Sequence, residues 1–272
     1  MLLPGAGFIF ALLGATAWIM VAQSLGYYNF TGESGFSLEY WRGLFDSQFF
    51  DSFFFSIRVA FLAAMISVVV AYPLALLIRG SRLAGLLVSP LLKIPLFVPG
   101  LVAAFLILNI LSFNGIINGL LVGIGIIRTP LRMLQDPAGL GVVCIQVWKN
   151  IPFAFVIIIA VLQSIAPELE EQAANLGAGR WQIIVWVITP LAASGLVIAF
   201  ILIFIGAFGD YAVMKLAGPN YPPALTVLMQ TRGIMFQEWN TAACIGVVVV
   251  FASIVFVIAY TSLAYRMGRR YD

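Results

Sequence analysis

Six apolar stretches, each about the length of a bilayer-crossing helix, limit what this chain can fold into more than any other feature. A spanning helix needs about 20 predominantly apolar residues. The chain supplies such runs at roughly Leu3 to Leu25, Phe54 to Ile78, Val88 to Leu111, Leu140 to Leu162, Trp186 to Phe208 and Ala242 to Tyr265. Of its 272 residues, 62% are hydrophobic and 9% charged, against about 25% charged in an ordinary soluble domain. A water-facing surface cannot be built from that proportion, so the expected fold is an all-α, polytopic membrane protein with six transmembrane helices.

The first run has no basic residue ahead of it and no clear small-residue cleavage site, which predicts a retained span and not a signal peptide. A seventh apolar run, Gly115 to Ile127, is too short to cross and is read as a surface or re-entrant hairpin. Its Gly115, Gly119 and Gly123 spacing equally suits packing against a neighbouring helix.

Several function classes are excluded. The net charge is +3, but the basic residues are scattered between hydrophobic runs. They form no stripe for nucleic acid and read as topology determinants. There is no histidine, and the two cysteines, Cys144 and Cys244, sit inside apolar runs. Zinc sites, histidine acid/base chemistry and a disulfide framework are not expected. No Gly-x-x-x-x-Gly-Lys-Ser/Thr phosphate loop occurs, so an ATP motor, if one drives this chain, is another polypeptide. The two halves also lack the matched broken-helix pattern of many gradient-driven carriers.

Six spans place both termini on one side. Arg266, Arg269 and Arg270, with Arg79 and Arg82, form the denser juxtamembrane basic clusters. This predicts cytoplasmic termini, with Glu33, Glu39 and Asp46 outside. The outer side still carries Arg42, Arg128, Arg132, Lys215 and Arg232.

Three carboxylates, two glycines, an arginine and two prolines fall together in PELEEQAANLGAGRWQIIVWVITP, from Pro167 to Pro190, between the fourth and fifth apolar runs. Pro167 suits a first helical position, and Glu168, Glu170 and Glu171 complement the helix dipole behind it. Ala173 and Ala174 continue the helix, Gly177 to Gly179 break it, and Arg180 and Trp181 restart an amphipathic segment leading into the fifth span. Local physics alone leaves two readings open, an interfacial connector and a docking element.

These residues resemble the Glu-Ala-Ala loop of binding-protein-dependent ABC importer permeases. Glu171-Gln172-Ala173, Gly177 and Pro190 stand at that motif's spacing, between the fourth and fifth of six spans. Gln172 replaces the first alanine, and Val187-Ile188-Thr189-Pro190 replaces the Ile-x-Leu-Pro ending. Further family parallels are Ala71-Tyr72-Pro73, Ile94-Pro95, Val98-Pro99, Trp148-Lys149-Asn150-Ile151-Pro152 and Leu216-Ala217-Gly218-Pro219. Thr129-Pro130-Leu131-Arg132-Met133-Leu134 is similar to the outer loop of polyamine-type permeases.

The resemblance implies a type I importer permease fold in the cytoplasmic (inner) membrane. Residues 1–48 would form a first helix and outer loop, and residues 49–272 a core of five helices with a coupling loop at 165–190. It implies docking on an ATPase through Glu170, Glu171, Gln172, Ala173, Ala174, Gly177, Ala178 and Arg180. The implied partners are a second permease chain, two ATP-binding subunits and an external solute-binding protein. ATP and Mg would be bound by those subunits, no cofactor by this chain, and no bond in the solute would change. A polyamine is the first expected solute, ahead of an opine or amino-acid derivative, iron or an oxyanion.

Ionisable residues inside spans are functional suspects. Arg58 and Lys93 lie near span ends and can snorkel to the interface. Lys149 lies deeper, beside Asn150 and Pro152, and needs an acidic partner, water or a cavity. Asp210 is the acidic candidate; it either pairs with Lys149 or faces a cationic solute. Trp148 and Tyr211 adjoin these charges and are candidates for cation–π contact with an amine. Trp18, Tyr27, Tyr28, Trp41, Trp186, Trp239 and Tyr265 read as interfacial anchors. The rival readings are a gradient-driven carrier, with Lys149 and Asp210 as its ion-coupled pair, and a scaffold with no solute path.

Overall fold

The structure is a computed structural model. It describes the backbone of residues 3–30, 32–80 and 82–268, and their side chains except at 3–5, 82–84, 86, 88 and 263–268. Six helices are long and apolar enough to cross a membrane: Ala6–Ser24, Ser47–Arg79, Gly100–Gly123, Leu140–Ser164, Arg180–Phe208 and Trp239–Ser262. Among the described residues there is no strand. Arg269 and Arg270 lie outside the described residues, as do the side chains of Arg82, Tyr265 and Arg266.

The third crossing differs from the sequence expectation. It begins at Gly100 and not at Val88, because Pro95 and Pro99 break the apolar run into pieces, Pro90 being carried inside the helix before them. Arg82–Lys93 is a helix of its own, and a single 3₁₀ turn, Ile94–Phe97, follows it. Lys93 therefore ends a separate helix and lies outside the third crossing. Beyond the helix Gly100–Leu111, the run expected as a hairpin forms the helix Ile116–Gly123 and completes this span. Gly115 makes the intervening turn; a Cβ there would lie 2.5 Å from the Ile110 carbonyl oxygen. Gly119 and Gly123 face open space within this chain. The buried amide of Asn118 ties the turn to the segment that follows this span. It donates to the carbonyls of Ser112 (3.1 Å) and Leu131 (2.9 Å) and accepts from the Leu131 N–H (2.8 Å).

The chain groups into two compact units. In the one formed by residues 1–56 and 220–254, the end of the first span meets the start of the sixth. Asn240 donates to the Gln23 carbonyl (2.7 Å) and the Cys244 thiol to that of Ser24 (3.4 Å). Gly246 admits Met20, whose sulfur would lie 2.9 Å from a Cβ there. Most of the first span is exposed, with 6% of its apolar window buried, which suits a lipid-facing helix.

The other unit, residues 57–219 and 255–272, holds the fourth and fifth spans, each half buried. Lipid tails are as apolar as leucine, so helices here associate through close packing and polar contacts. Gly195 on the fifth span packs directly on Val161 of the fourth, and Phe200, Phe204 and Phe208 follow at helical spacing. Phe204 lies 4.5 Å from Phe256 and Phe200 lies 4.7 Å from Tyr260, ring centre to ring centre.

A Cβ at Gly195 would stand 2.5, 2.9 and 3.1 Å from the Val161 side chain, a β-branched group with little freedom to yield. Gly195→Leu should therefore destabilise the detergent-solubilised protein by about 1–3 kcal/mol, the usual penalty of overpacking. Gly119→Ala, which fills open space, should leave the thermal unfolding midpoint unchanged or raised.

Candidate functional site

The Pro167 element is built from short-range chemistry. The helix Pro167–Asn175 starts with proline in its first turn and Glu168 and Glu170 beside the orphan N–H groups. It ends in a Schellman arrangement. Gly177 has φ +87°, the Gly177 N–H bonds to the Ala174 carbonyl (2.9 Å), and the Ala178 N–H bonds to that of Ala173 (3.0 Å). A side-chain-bearing residue adopts that left-handed conformation only with strain. Gly179 then opens the helix Arg180–Ile183, and the Gln182 side chain reaches back to accept the Gly179 N–H at 2.8 Å.

The helix continues into the fifth span through one π-helical turn, Ile184–Ile188, placed directly before Pro190. Proline supplies no N–H to the ladder, and the π turn is where the ladder is re-registered. Both the N–H and the hydroxyl of Thr189 donate to the Ile184 carbonyl, the hydroxyl at 2.7 Å. With its proton so used, the Thr189 hydroxyl accepts from Tyr72 Oη at 2.6 Å.

Of the residues expected in this loop, Glu171, Gln172, Ala174, Gly177 and Arg180 are exposed, and Ala173 and Ala178 are half-buried. Glu170 also has a partner within the chain. Its carboxylate lies 2.8 Å from the Arg79 guanidinium at the end of the second span. Arg79 also donates to the Ile165 carbonyl at 2.9 Å, just past the fourth span. Leu176 (90% exposed) and Trp181 (75%) project from the element.

At the other end of this unit, Lys149 and Asp210 pair with each other, Nζ to carboxylate at 2.7 Å. Gln146, fully buried and missed by sequence reasoning, donates to the same carboxylate at 3.0 Å and accepts from Asn150 at 3.1 Å. Its spacing of three and four residues before Lys149 and Asn150 is the signal that could have found it. Gly100 has no side chain where one would meet Lys149; a Cβ there would lie 3.2 Å from Nζ. Asp210 also caps the helix Tyr211–Ala217, accepting the Val213 N–H at 3.1 Å. Burial pushes the Asp210 carboxyl upward. The Lys149 hydrogen bond and charge, the Val213 N–H and the Gln146 amide outweigh it, so its pKa lies below the ordinary aspartate value. The pair's contribution is therefore present at neutral pH and is lost only as pH falls through the acid carboxylate range. Trp148 and Tyr211 are exposed. Arg58 donates to the carbonyls of Pro137 (3.1 Å) and Ala138 (2.8 Å), fixing the loop before the fourth span.

The family described as binding-protein-dependent transport system inner membrane component matches residues 68–272. The chain belongs to this family. It is therefore the permease component of an importer in the inner membrane, and not an enzyme. Among its relatives, the spermidine/putrescine transport system permease protein PotB of Escherichia coli is 24% identical over 213 residues, covering 78% of this chain and 77% of that one. The sulfate transport system permease protein CysT of Escherichia coli is 27% identical over 235 residues, covering 85% and 82%. Two solved structures share the fold of this permease. A bacterial ABC transporter involved in import of the acidic polysaccharide alginate superposes with a TM-score of 0.80 at 21% identity, over 98% of this chain and 94% of that chain. An inward-facing conformation of the MetNI methionine ABC transporter gives 0.62 at 17%, over 79% and 93%.

Asp210→Asn leaves the Lys149 charge without its counter-ion and should lower stability by about 1.5–3 kcal/mol. Adding Lys149→Met should recover part of that loss. Thermal unfolding of the two single variants and the double variant checks this, and strictly additive losses would contradict a coupled pair.

Proposed function

We propose that this permease is one membrane half of an ATP-driven importer for a small amine of the polyamine class, and that the element from Pro167 to Ile188 docks on an ATP-binding subunit. The observation that carries the docking reading is the loop's form. A short capped helix, a glycine turn and a second helix stand exposed at the end of the bundle, and Leu176 and Trp181 present apolar surface that none of the described residues covers. Glu171 and Arg180 flank that surface with charges free to pair with a partner.

In this reading both termini and the loop are cytoplasmic. A second permease chain completes the pathway, two ATP-binding subunits hold ATP and Mg, and a solute-binding protein delivers cargo from outside. Closure of the motor would move the loop, and the π turn before Pro190 would let the fifth span follow. The relatives named for spermidine and putrescine support an amine as cargo.

One specific observation favours a second cargo. A cavity of about 510 Å³ at the loop end opposite Pro167 is lined mostly by apolar residues, Leu108, Phe113, Leu134 and Leu216 among them, with Ser112, Arg132 and Gln135 as its polar members. An arginine with two neutral polar groups suits an oxyanion, and the sulfate permease covers 85% of this chain.

The complete complex in proteoliposomes tests both levels. Uptake should persist when ionophores collapse ion gradients and stop when ATP is withheld; uptake that follows the gradient would contradict the proposal. Radiolabelled spermidine entering, with sulfate excluded, is the expected cargo result, and the reverse selects the oxyanion reading. Gly177→Trp should lower recovery of the ATP-binding subunits by about tenfold, a loss of about 1.4 kcal/mol.

A further inference from the structure

We infer that Arg79 and Tyr72 form a two-point clamp through which the second span holds the Pro167–Ile188 element and moves with it. The inference rests on that element's being the docking site for the ATP-binding subunit, and concerns how its motion enters the bundle.

Tyr72 and Arg79 are seven residues apart on one helix, Ser47–Arg79, close to two full turns, so both project from one face. They grip the element on either side of its π turn. Arg79 holds its beginning, with Glu170 at 2.8 Å and the Ile165 carbonyl at 2.9 Å. Tyr72 holds its end, donating at 2.6 Å to the Thr189 hydroxyl that closes the π turn onto Ile184.

Between these two points the element does not pack tightly on the second span. A cavity of about 500 Å³ lies there, lined by Leu76, Arg79, Glu170, Ile183, Ile184 and Ile188. Across such a space interdigitated side chains cannot pass a displacement, and the two polar contacts bridge it. Arg79 suits this use because it is largely buried, its side chain 14% exposed, and its guanidinium forms an ion pair with the Glu170 carboxylate while donating a hydrogen bond to the Ile165 carbonyl. Both groups are positioning residues, acting on the loop and not on cargo or nucleotide.

The readout is the amount of cargo imported per ATP hydrolysed by the assembled complex in proteoliposomes, measured with spermidine and with sulfate. Arg79→Gln and Tyr72→Phe should leave the ATP-binding subunits bound and ATP hydrolysis running, while the ratio falls about twofold to thirtyfold. Arg79→Lys, which keeps the charge opposite Glu170, should restore much of it. The clamp is overturned if both variants keep the wild-type ratio with the subunits bound. It is also overturned if Arg79→Gln loses the subunits, or if Arg79→Lys restores nothing. Failure of the docking reading gives a separate result: Gly177→Trp then retains the ATP-binding subunits as fully as the wild type, whatever the ratio in the clamp variants.

Discussion

Arg79 stands where three parts of the chain end: the last turn of the second span, the exit from the fourth and the start of the Pro167 helix. Its guanidinium meets the Ile165 carbonyl on one side and the Glu170 carboxylate on the other. A carbonyl at a helix exit has no intrahelical partner, and a cation there is doubly favoured, by the hydrogen bond and by the negative end of the dipole. That contact sets how the Pro167–Asn175 helix, nine residues long, sits against the second span. The loop's form comes from its own caps, and its place in the bundle comes from an arginine outside it.

The same division of labour explains the opposite end of this unit. Lys149 is long and charged and lies on a span, which is unfavourable unless a counter-ion is near. Asp210 supplies it, and also starts the helix Tyr211–Ala217, so one carboxylate neutralises a span and sets the direction of the next segment. Gln146 and Asn150 continue the network on the same helix. The two charges are each other's counter-ions in this structure.

Much of this was legible in the sequence because it depends on neighbours. Apolar length gave the crossings, proline and glutamates gave the loop helix, and Gly177 gave its turn. Pro95 and Pro99 were also in view, yet their joint effect was not. A hydropathy run continues through prolines that a helix does not, so the expected third crossing starts at Val88, about three turns before Gly100, and Gly115 to Ile127 reads as a hairpin or a packing segment. What sequence could not give is partnership across distance. Arg79 reads as a topology charge and Glu170 as a docking charge until the fold brings them together. The Tyr72 hydroxyl lies within an apolar helix, and nothing local announces Thr189 as its acceptor. The pairing of Lys149 with Asp210 was one of two open outcomes, since charge and depth define the need for a partner without naming it.

The central claim is that the exposed face of the Pro167 element touches an ATP-binding subunit, and proximity at Leu176 tests it most directly. Leu176→Cys, in a chain whose Cys144 and Cys244 have been replaced by serine and alanine, places one thiol on the most exposed large apolar side chain of the element. In the assembled complex a short bifunctional reagent should join it to the ATP-binding subunit, with a yield that changes when ATP is bound and hydrolysed. A thiol that stays open to solvent reagents in the intact, transporting complex and forms no cross-link to that subunit would contradict the account.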